Sequence, residues 1–526
     1  MSSTATTTTT SLATHNTSLS SNVSRRKSFK LDTTTKKAPA CDYRMRRRLQ
    51  HHEADVVIVG AGIVGCAAAV AMGKQGRSVI LLEKSLKEPD RIVGELLQPG
   101  GVQALEKLGL RDCLEGIDAI PCYGYQVTYH NEPVHIPYPT DLLDSSSPTT
   151  IAPSSTPQTA PSSSRPEGRS FHHGRFISKL RAAARAAPNV TVIESTVTSL
   201  VKSTHGNQIL GVECQTAGKP DCYFGSLTLV ADGYASKFRK EHLPHTPQVR
   251  SKFWALELID AELPAPNHGH VILSNAPPIL IYQIGTHETR ILIDVPENLP
   301  SASVAAGGIK NHMNNVVLPA LPASVRPSFQ RALAAGKLRS MPNSFLPPST
   351  QKTPGLIVLG DAMNMRHPLT GGGMTVAFND VLLLSTLLSP TAIPNLERTP
   401  DVLAQMQHFH WERKNGSSVI NILAMALYSL FAADDAALTT LQMGCFRYFQ
   451  RGGACVSEPC GLLAGLIKTP SVLVWHFFMV AFYAVWRKAV EGPRWMIPWV
   501  VGVESWVVVW KAIVVIGPYL LWEVRR

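Results

Sequence analysis

The sequence predicts an α/β protein with three parts: a Rossmann-like dinucleotide-binding domain, an interleaved mixed or antiparallel β-sheet domain, and a C-terminal hydrophobic helical segment. Three observations predict it. Residues 55–83 run strand, Gly-rich turn, small-residue helix, strand and acid. Residues 253–296 alternate apolar and polar positions in short runs. The last 56 residues are largely apolar, with tryptophans toward the ends of the runs.

The first strand is Asp55–Val59, a continuous apolar, β-branched run of the kind a strand covered on both faces requires. Gly60-Ala61-Gly62-Ile63-Val64-Gly65 follows at once. A helical stretch from Cys66 to Gln75 comes next, with Gly76 as its cap, and a second strand, Ser78–Leu82, ends at Glu83. A GxGxxG pattern alone is a weak signal, but here it has its whole context. Gly60 makes the tight turn. Gly62 lets a diphosphate approach the backbone, and Gly65 lets helix and strand pack closely. The helix N-terminus then faces the diphosphate. Glu83, about 20 residues on, suits the ribose hydroxyls of an adenosine. FAD and NAD share this fingerprint.

Two later segments separate them. Val230-Ala231-Asp232-Gly233 closes a strand far downstream, followed by Ser236-Lys237-Phe238-Arg239. Leu356–Leu359 reads as a third buried strand leading into Gly360-Asp361, then Pro368 and the turn Gly371-Gly372-Gly373-Met374. The Asp361 carboxylate can take a ribityl hydroxyl. Backbone amides at the following helix start can hold the pyrophosphate and the flavin pyrimidine edge. Three such segments in this order resemble the single-component FAD monooxygenases of the aromatic-hydroxylase type.

Longer strings sharpen the resemblance. Glu88-Pro89-Asp90-Arg91-Ile92-Val93-Gly94-Glu95-Leu96-Leu97-Gln98-Pro99-Gly100-Gly101 is similar to the squalene monooxygenase (squalene epoxidase) family. So are Phe171-His172-His173-Gly174-Arg175-Phe176, Asn364 through Met374, and the apolar C-terminus. The resemblance covers roughly residues 54–526. It implies FAD as cofactor, with Ile63, Val64, Glu83 and Lys84 at its adenosine half. It implies Arg91 and Arg175 at the cofactor, and Asp361 and Met374 on the ribityl and flavin side. It also implies that Tyr125 belongs to the substrate pocket and matters for activity, with Gln98 near it. For each arginine an ordinary ion pair is the alternative, and for Tyr125 a core tyrosine.

The activity so implied is conversion of squalene to (S)-2,3-epoxysqualene in sterol (ergosterol-type) biosynthesis. It uses O2 and NADPH-derived electrons, through a flavin C4a-hydroperoxide. The implied electron donor is an NADPH-cytochrome P450 reductase on the same membrane. The implied place is the endoplasmic reticulum membrane, with the catalytic domain on the cytosolic side. Two alternatives share the fold: an FAD hydroxylase or epoxidase of another lipophilic terpenoid or polyketide, and an alkene reductase such as a geranylgeranyl reductase.

Composition narrows the field further. The chain has 526 residues, 44% apolar and 17% charged, enough for two or three domains and a large core. Its formal charge is +12, and residues 1–53 carry ten Lys/Arg against three acids. Such a tail is solvated, or attracts anionic lipid; no nucleic-acid partner is expected. Residues 1–50 hold no apolar run of signal-peptide length. Nine cysteines without a CxxC pair argue for reduced thiols over a disulfide framework. His172, His173 and His367 have no carboxylate or cysteine at ligand spacing, so no metal is expected. No GxSxG elbow exists for hydrolysis.

The expected organisation is a basic Ser/Thr-rich tail (1–53), three FAD-binding pieces (54–140, 171–245 and 351–390), a Ser/Pro/Thr-rich insert (141–170), a substrate-binding sheet (246–350), a helical region (391–470) and membrane-associated helices (471–526). Within the last, Ser471–Trp486 is short of the roughly 20 residues that span a bilayer. Trp495–Trp522 is long enough but carries Glu504, Lys511 and two prolines. A hairpin lying in one leaflet, one or two spanning helices, and a soluble helical cap all remain open; membrane lipid is the expected partner of this segment.

Overall fold

The computed structural model describes residue 48 and residues 50–140, 165–274, 276–493 and 499–524. Residues 1–47 of the basic tail and 141–164 of the insert lie outside the described residues.

Glu53–Val59 lies inside a seven-stranded sheet. Val79–Glu83 and then Val190–Glu194 pair in parallel on one side of it. Lys219–Val230 pairs in parallel on the other side, and Leu356–Val358 pairs in parallel with the end of that long strand. Ile209–Thr216 and Thr196–Lys202 complete the sheet as an antiparallel meander. Val56, Val57 and Ile58 are fully buried, so both faces of the sheet must be covered. The Ile63–Lys74 helix packs close because its inner positions are small: a Cβ on Gly73 would meet the Pro188 carbonyl oxygen at 2.5 Å.

The register explains how distant segments meet. Val59 lies level with Leu82 and Val230, and Val230 with Val358. The four strands run parallel, so the turn at Gly60, the acid Glu83, Ala231-Asp232-Gly233 and Gly360-Asp361 all emerge at one edge. Ligands bind at such carboxyl ends of parallel strands.

A second seven-stranded sheet runs in the order Arg339–Phe345, Gln248–Ile259, Glu288–Pro296, Ile279–Gln283, Gly269–Leu273, Gly124–Tyr129 and Glu132–Pro137. It is antiparallel except where Gly269–Leu273 pairs in parallel with Gly124–Tyr129. Strand alternation sends Ile279, Ile281, Ile291 and Ile293 to a core completed by Phe329 and Leu333 of the Arg326–Ala335 helix. Leu280, Tyr282 and Leu292 go the other way, to a core shared with the C-terminal helices.

Two boundaries differ from the sequence reading. Residues 124–137, grouped there with the first FAD-binding piece, form the edge of the second sheet. Gly168–Ser170, grouped with the low-complexity insert, is a strand between Leu96–Leu97 and Ile120–Cys122. Both placements rest on pairing with residues distant in sequence, which local composition does not encode.

Among the described residues, three helices are long and apolar enough to cross a membrane: Lys414–Ala432, Pro470–Glu491 and Gly502–Val524. The first is 72% buried inside the protein, which makes it a core helix; the other two are 28% buried. Pro470–Glu491 extends past the apolar run read from sequence. Its 22 residues reach about 33 Å, the hydrocarbon thickness of a bilayer. The charges that interrupt these segments are paired: Lys488 with Glu504 at 2.8 Å, and Lys511 with Asp435. The Lys488–Glu504 contact joins the end of one helix to the start of the next, as in an antiparallel hairpin. Outward lie Trp475, Phe482, Trp486, Trp506 and Trp510. The eight cysteines among the described residues are free thiols.

Candidate active site

The carboxyl edge of the first sheet opens into a cleft of about 510 Å³ that continues to the second sheet. Gly60 has φ +101°, and a Cβ there would meet the Ala231 carbonyl oxygen at 2.6 Å. A Cβ on Gly65 would lie 1.8 Å from the Gly60 carbonyl oxygen. At Gly62, in contrast, a Cβ would meet nothing within 4 Å. That open cradle faces the start of the Ile63–Lys74 helix, which has no side-chain cap. Its first-turn amides lack intrahelical acceptors and carry the positive end of the helix dipole. The Gly373–Leu387 helix, also uncapped by a side chain, begins at the same cleft.

Most expected cofactor residues line this cleft: Gly60, Gly62, Ile63, Val64, Glu83, Lys84, Arg91, Asp361 and Met374. Gly65 does not line it and acts through packing. Glu83 accepts the Ala61 N–H at 2.8 Å, which ties the acid to the turn. The Arg91 guanidinium lies over the Tyr234 ring, 5.5 Å from its centre.

Arg175 does not line the cleft. It faces Asp118 at 3.7 Å on the protein surface. Arg181, six residues along the same His173–Ala186 helix, lines it instead. Arg181 donates to the carbonyl oxygens of Ala61 (3.0 Å) and Lys87 (2.9 Å) and lies 3.6 Å from the Glu83 carboxylate. Six residues turn a helix by about 240° net, so the two arginines point different ways.

Other residues at or behind the cleft were not assigned from sequence. Arg239, behind the cleft wall, clamps two of its loops together by donating to the carbonyl oxygens of Tyr234, Asp361 and Ala362. Its place in the Ser236–Arg239 string was a signal. Arg366 borders the cleft while nine-tenths buried, and its Nε has no partner among the described residues. Asp232 Oδ1 is likewise unpartnered, and burial pushes the Asp232 carboxyl above its ordinary range. Open cradle, two helix starts, cationic Arg181 and Arg366, and orphaned polar atoms suit a dinucleotide with an anionic centre. His173 Nδ1 donates to the Gly94 carbonyl at 2.9 Å, and burial holds its imidazole down to about 4.

At the far end stands Tyr125, on the second sheet. The Gln98 carboxamide Nε2 donates to its hydroxyl and to the Thr370 carbonyl at 2.7 Å, while Oε1 accepts from Tyr138 at 2.8 Å. Gln98 is fully buried, and burial raises the Tyr125 phenol well above its ordinary range. Beyond Tyr125 lies a chamber of about 80 Å³ walled by apolar residues such as Val127, Ile136, Leu427, Phe431 and Leu463. Tyr125, Val271 and Leu369 border both spaces.

Comparison with known proteins decides the family. A squalene epoxidase family model matches residues 224–501, and an FAD-dependent oxidoreductase model matches residues 55–89. A squalene epoxidase of Aspergillus fumigatus is 63% identical over 488 residues, 93% of this chain and 97% of that one. The chain belongs to the squalene epoxidase family. A squalene epoxidase of Saccharomyces cerevisiae is 41% identical over 89% of this chain and 96% of its own length. A squalene monooxygenase of Mus musculus is 42% identical over 82% of this chain and 71% of its own. Among solved structures, a flavin-dependent brominase aligns over 82% of this chain and 99% of that one, with a TM-score of 0.60 and 15% identity. The p-nitrophenol 4-monooxygenase of Pseudomonas putida aligns over 81% and 98%, with a TM-score of 0.58 and 16% identity. These two share the fold. This squalene epoxidase family member is an FAD-dependent oxidoreductase, and the cleft is where its FAD fits.

Proposed function

We propose that the chain epoxidises squalene to (S)-2,3-epoxysqualene in sterol biosynthesis, using O2 and electrons that originate in NADPH. The observation that carries this reading is the junction at Tyr125. One side chain borders both the cofactor cleft and an apolar chamber. Squalene offers no charge or hydrogen-bonding group, so its site needs an apolar wall and one well-placed polar contact. The chamber wall, apolar among the described residues apart from Tyr125, Thr370 and the Cys460 thiol, fits that need.

Bound FAD, when reduced, supplies the electrons and the oxygen activation. The chain's residues do the rest. Arg181, Arg366 and the two helix starts hold the anionic cofactor. Leu369 and Val271 exclude water where the two spaces meet. Gln98 fixes Tyr125 in place, and the tyrosine orients the reacting end of the squalene by contact. The outward tryptophans of the C-terminal hairpin seat the protein on lipid, from which a water-insoluble substrate arrives. We place it on the endoplasmic reticulum membrane, catalytic domain toward the cytosol, with an NADPH-cytochrome P450 reductase as electron donor.

The test is product formation from squalene by membranes carrying the protein, with NADPH and such a reductase, in air and without oxygen. Epoxide formed only in air supports the proposal. A hydrogenated product formed without oxygen points to an alkene reductase, and no product from an FAD-loaded protein removes squalene as substrate.

A further inference from the structure

We propose that Glu523, near the end of the C-terminal helix, is a positioning residue for the cofactor site. It acts through a buried relay on Arg366. This rests on the FAD reading of the cleft.

The relay is continuous. Asn421 Nδ2 donates to Glu523 Oε1 at 2.8 Å and to Asn364 Oδ1 at 3.2 Å. The same Asn364 oxygen accepts from Arg366 at 2.9 Å and from Arg413 at 3.2 Å. Arg366 also donates to the Asn364 backbone carbonyl at 2.8 Å. Asp380 binds the Arg413 fork at 3.0 and 2.8 Å. Lys414 donates to the Glu523 backbone carbonyl at 2.5 Å. Every member is nine-tenths or more buried.

A carboxylate here is costly on its own terms. Burying one costs several kcal/mol, as an order of magnitude. A negative charge at a helix C-terminus also opposes the helix dipole. Anchoring in lipid would be served better by an apolar side chain. The relay gives the charge a use. Arg366, Arg413 and Lys414 bring three positive charges, and Asp361 and Asp380 supply two negative ones. Glu523 supplies the third, so the cleft-side Arg366 is held in one place by a balanced cluster. The C-terminal helix thereby reaches the cofactor cleft without touching it.

Glu523→Gln keeps the shape and the acceptor for Asn421 but removes the charge. The surplus positive charge then favours the anionic reduced flavin. The expected result, on the full chain in detergent, is a flavin midpoint potential shifted positive, with FAD release no faster than wild type because the relay's hydrogen bonds stand. Glu523→Asp should restore most of the potential. Asn421→Ala cuts the relay without changing charge, and it should speed FAD release with little shift in potential. Unchanged potential in Glu523→Gln, or unchanged FAD release in Asn421→Ala, would overturn the relay. A wild-type protein that binds no FAD would overturn instead the cofactor reading beneath it.

Discussion

Gln98 donates its hydrogen bond to Tyr125, and Thr370 decides that direction. The Thr370 carbonyl can only accept, so the nitrogen of the carboxamide must face it at 2.7 Å and the oxygen must face Tyr138. Tyr125 therefore receives a hydrogen bond and keeps its own proton to give. Tyr125→Phe should lower epoxide formation about tenfold, the worth of one hydrogen bond at the upper end of its range, with FAD content unchanged. Gln98→Ala strands the hydroxyls of Tyr125 and Tyr138 and the Thr370 carbonyl. It should destabilise the fold by about 2–4 kcal/mol, read by thermal unfolding.

Arg181 and Arg175 make a paired test of the cleft. Arg181→Met should weaken FAD binding about tenfold or more, since a buried cation lining the cleft is lost. Arg175→Met should leave FAD content near wild type. Flavin absorbance per protein after gel filtration reads both. Loss of FAD in the Arg175 variant, with retention in the Arg181 variant, would reverse the assignment.

His173 carries a pH dependence with a definite sign. Burial depresses its imidazole to about 4, with the charges of Arg91 and Arg181 adding to the effect, while the unfolded chain titrates near 6.5. The unfolded state thus binds the proton more readily. Stability from the neutral, buried form is present above about pH 6.5 and is lost as pH falls toward 4. Full protonation removes about 3 kcal/mol, as an order of magnitude. His173→Asn should flatten the fall in melting temperature between pH 6.5 and 4. An unchanged slope would show that other groups set it.

The outward tryptophans of the last helix make a prediction about lipid. Trp506 and Trp510 are 76% and 65% exposed, too large a pair of apolar surfaces for water alone. Replacing both with Ser should lower partitioning into phospholipid vesicles more than tenfold, at about 2 kcal/mol each. FAD content should stay unchanged. Equal co-flotation of variant and wild type would place membrane contact elsewhere.

Legibility in the sequence followed the range of the interaction. The Gly60–Gly65 turn, Glu83 and Gly360-Asp361 are set by local backbone needs, and those needs are written in neighbouring residues. The contact between Tyr125 and Gln98 came through resemblance to the family. A helix sequence does not reveal which of two arginines faces the cleft; packing of Phe176 and Leu180 into the core turns Arg181 toward it and leaves Arg175 outside. The strand at Gly168–Ser170 and the parallel pair of Gly124–Tyr129 with Gly269–Leu273 depend on partners far along the chain. The Glu523 relay joins helices whose contact no periodicity announces. The cleft itself was legible from three loops; its supporting polar groups were not.

The most direct measurement is mass spectrometry of the product made from squalene under 18O2, by membranes holding this protein, NADPH and an NADPH-cytochrome P450 reductase. The expected product is 2,3-epoxysqualene carrying one 18O atom. Epoxide without the label, or no epoxide from protein whose FAD is confirmed by absorbance, would contradict it.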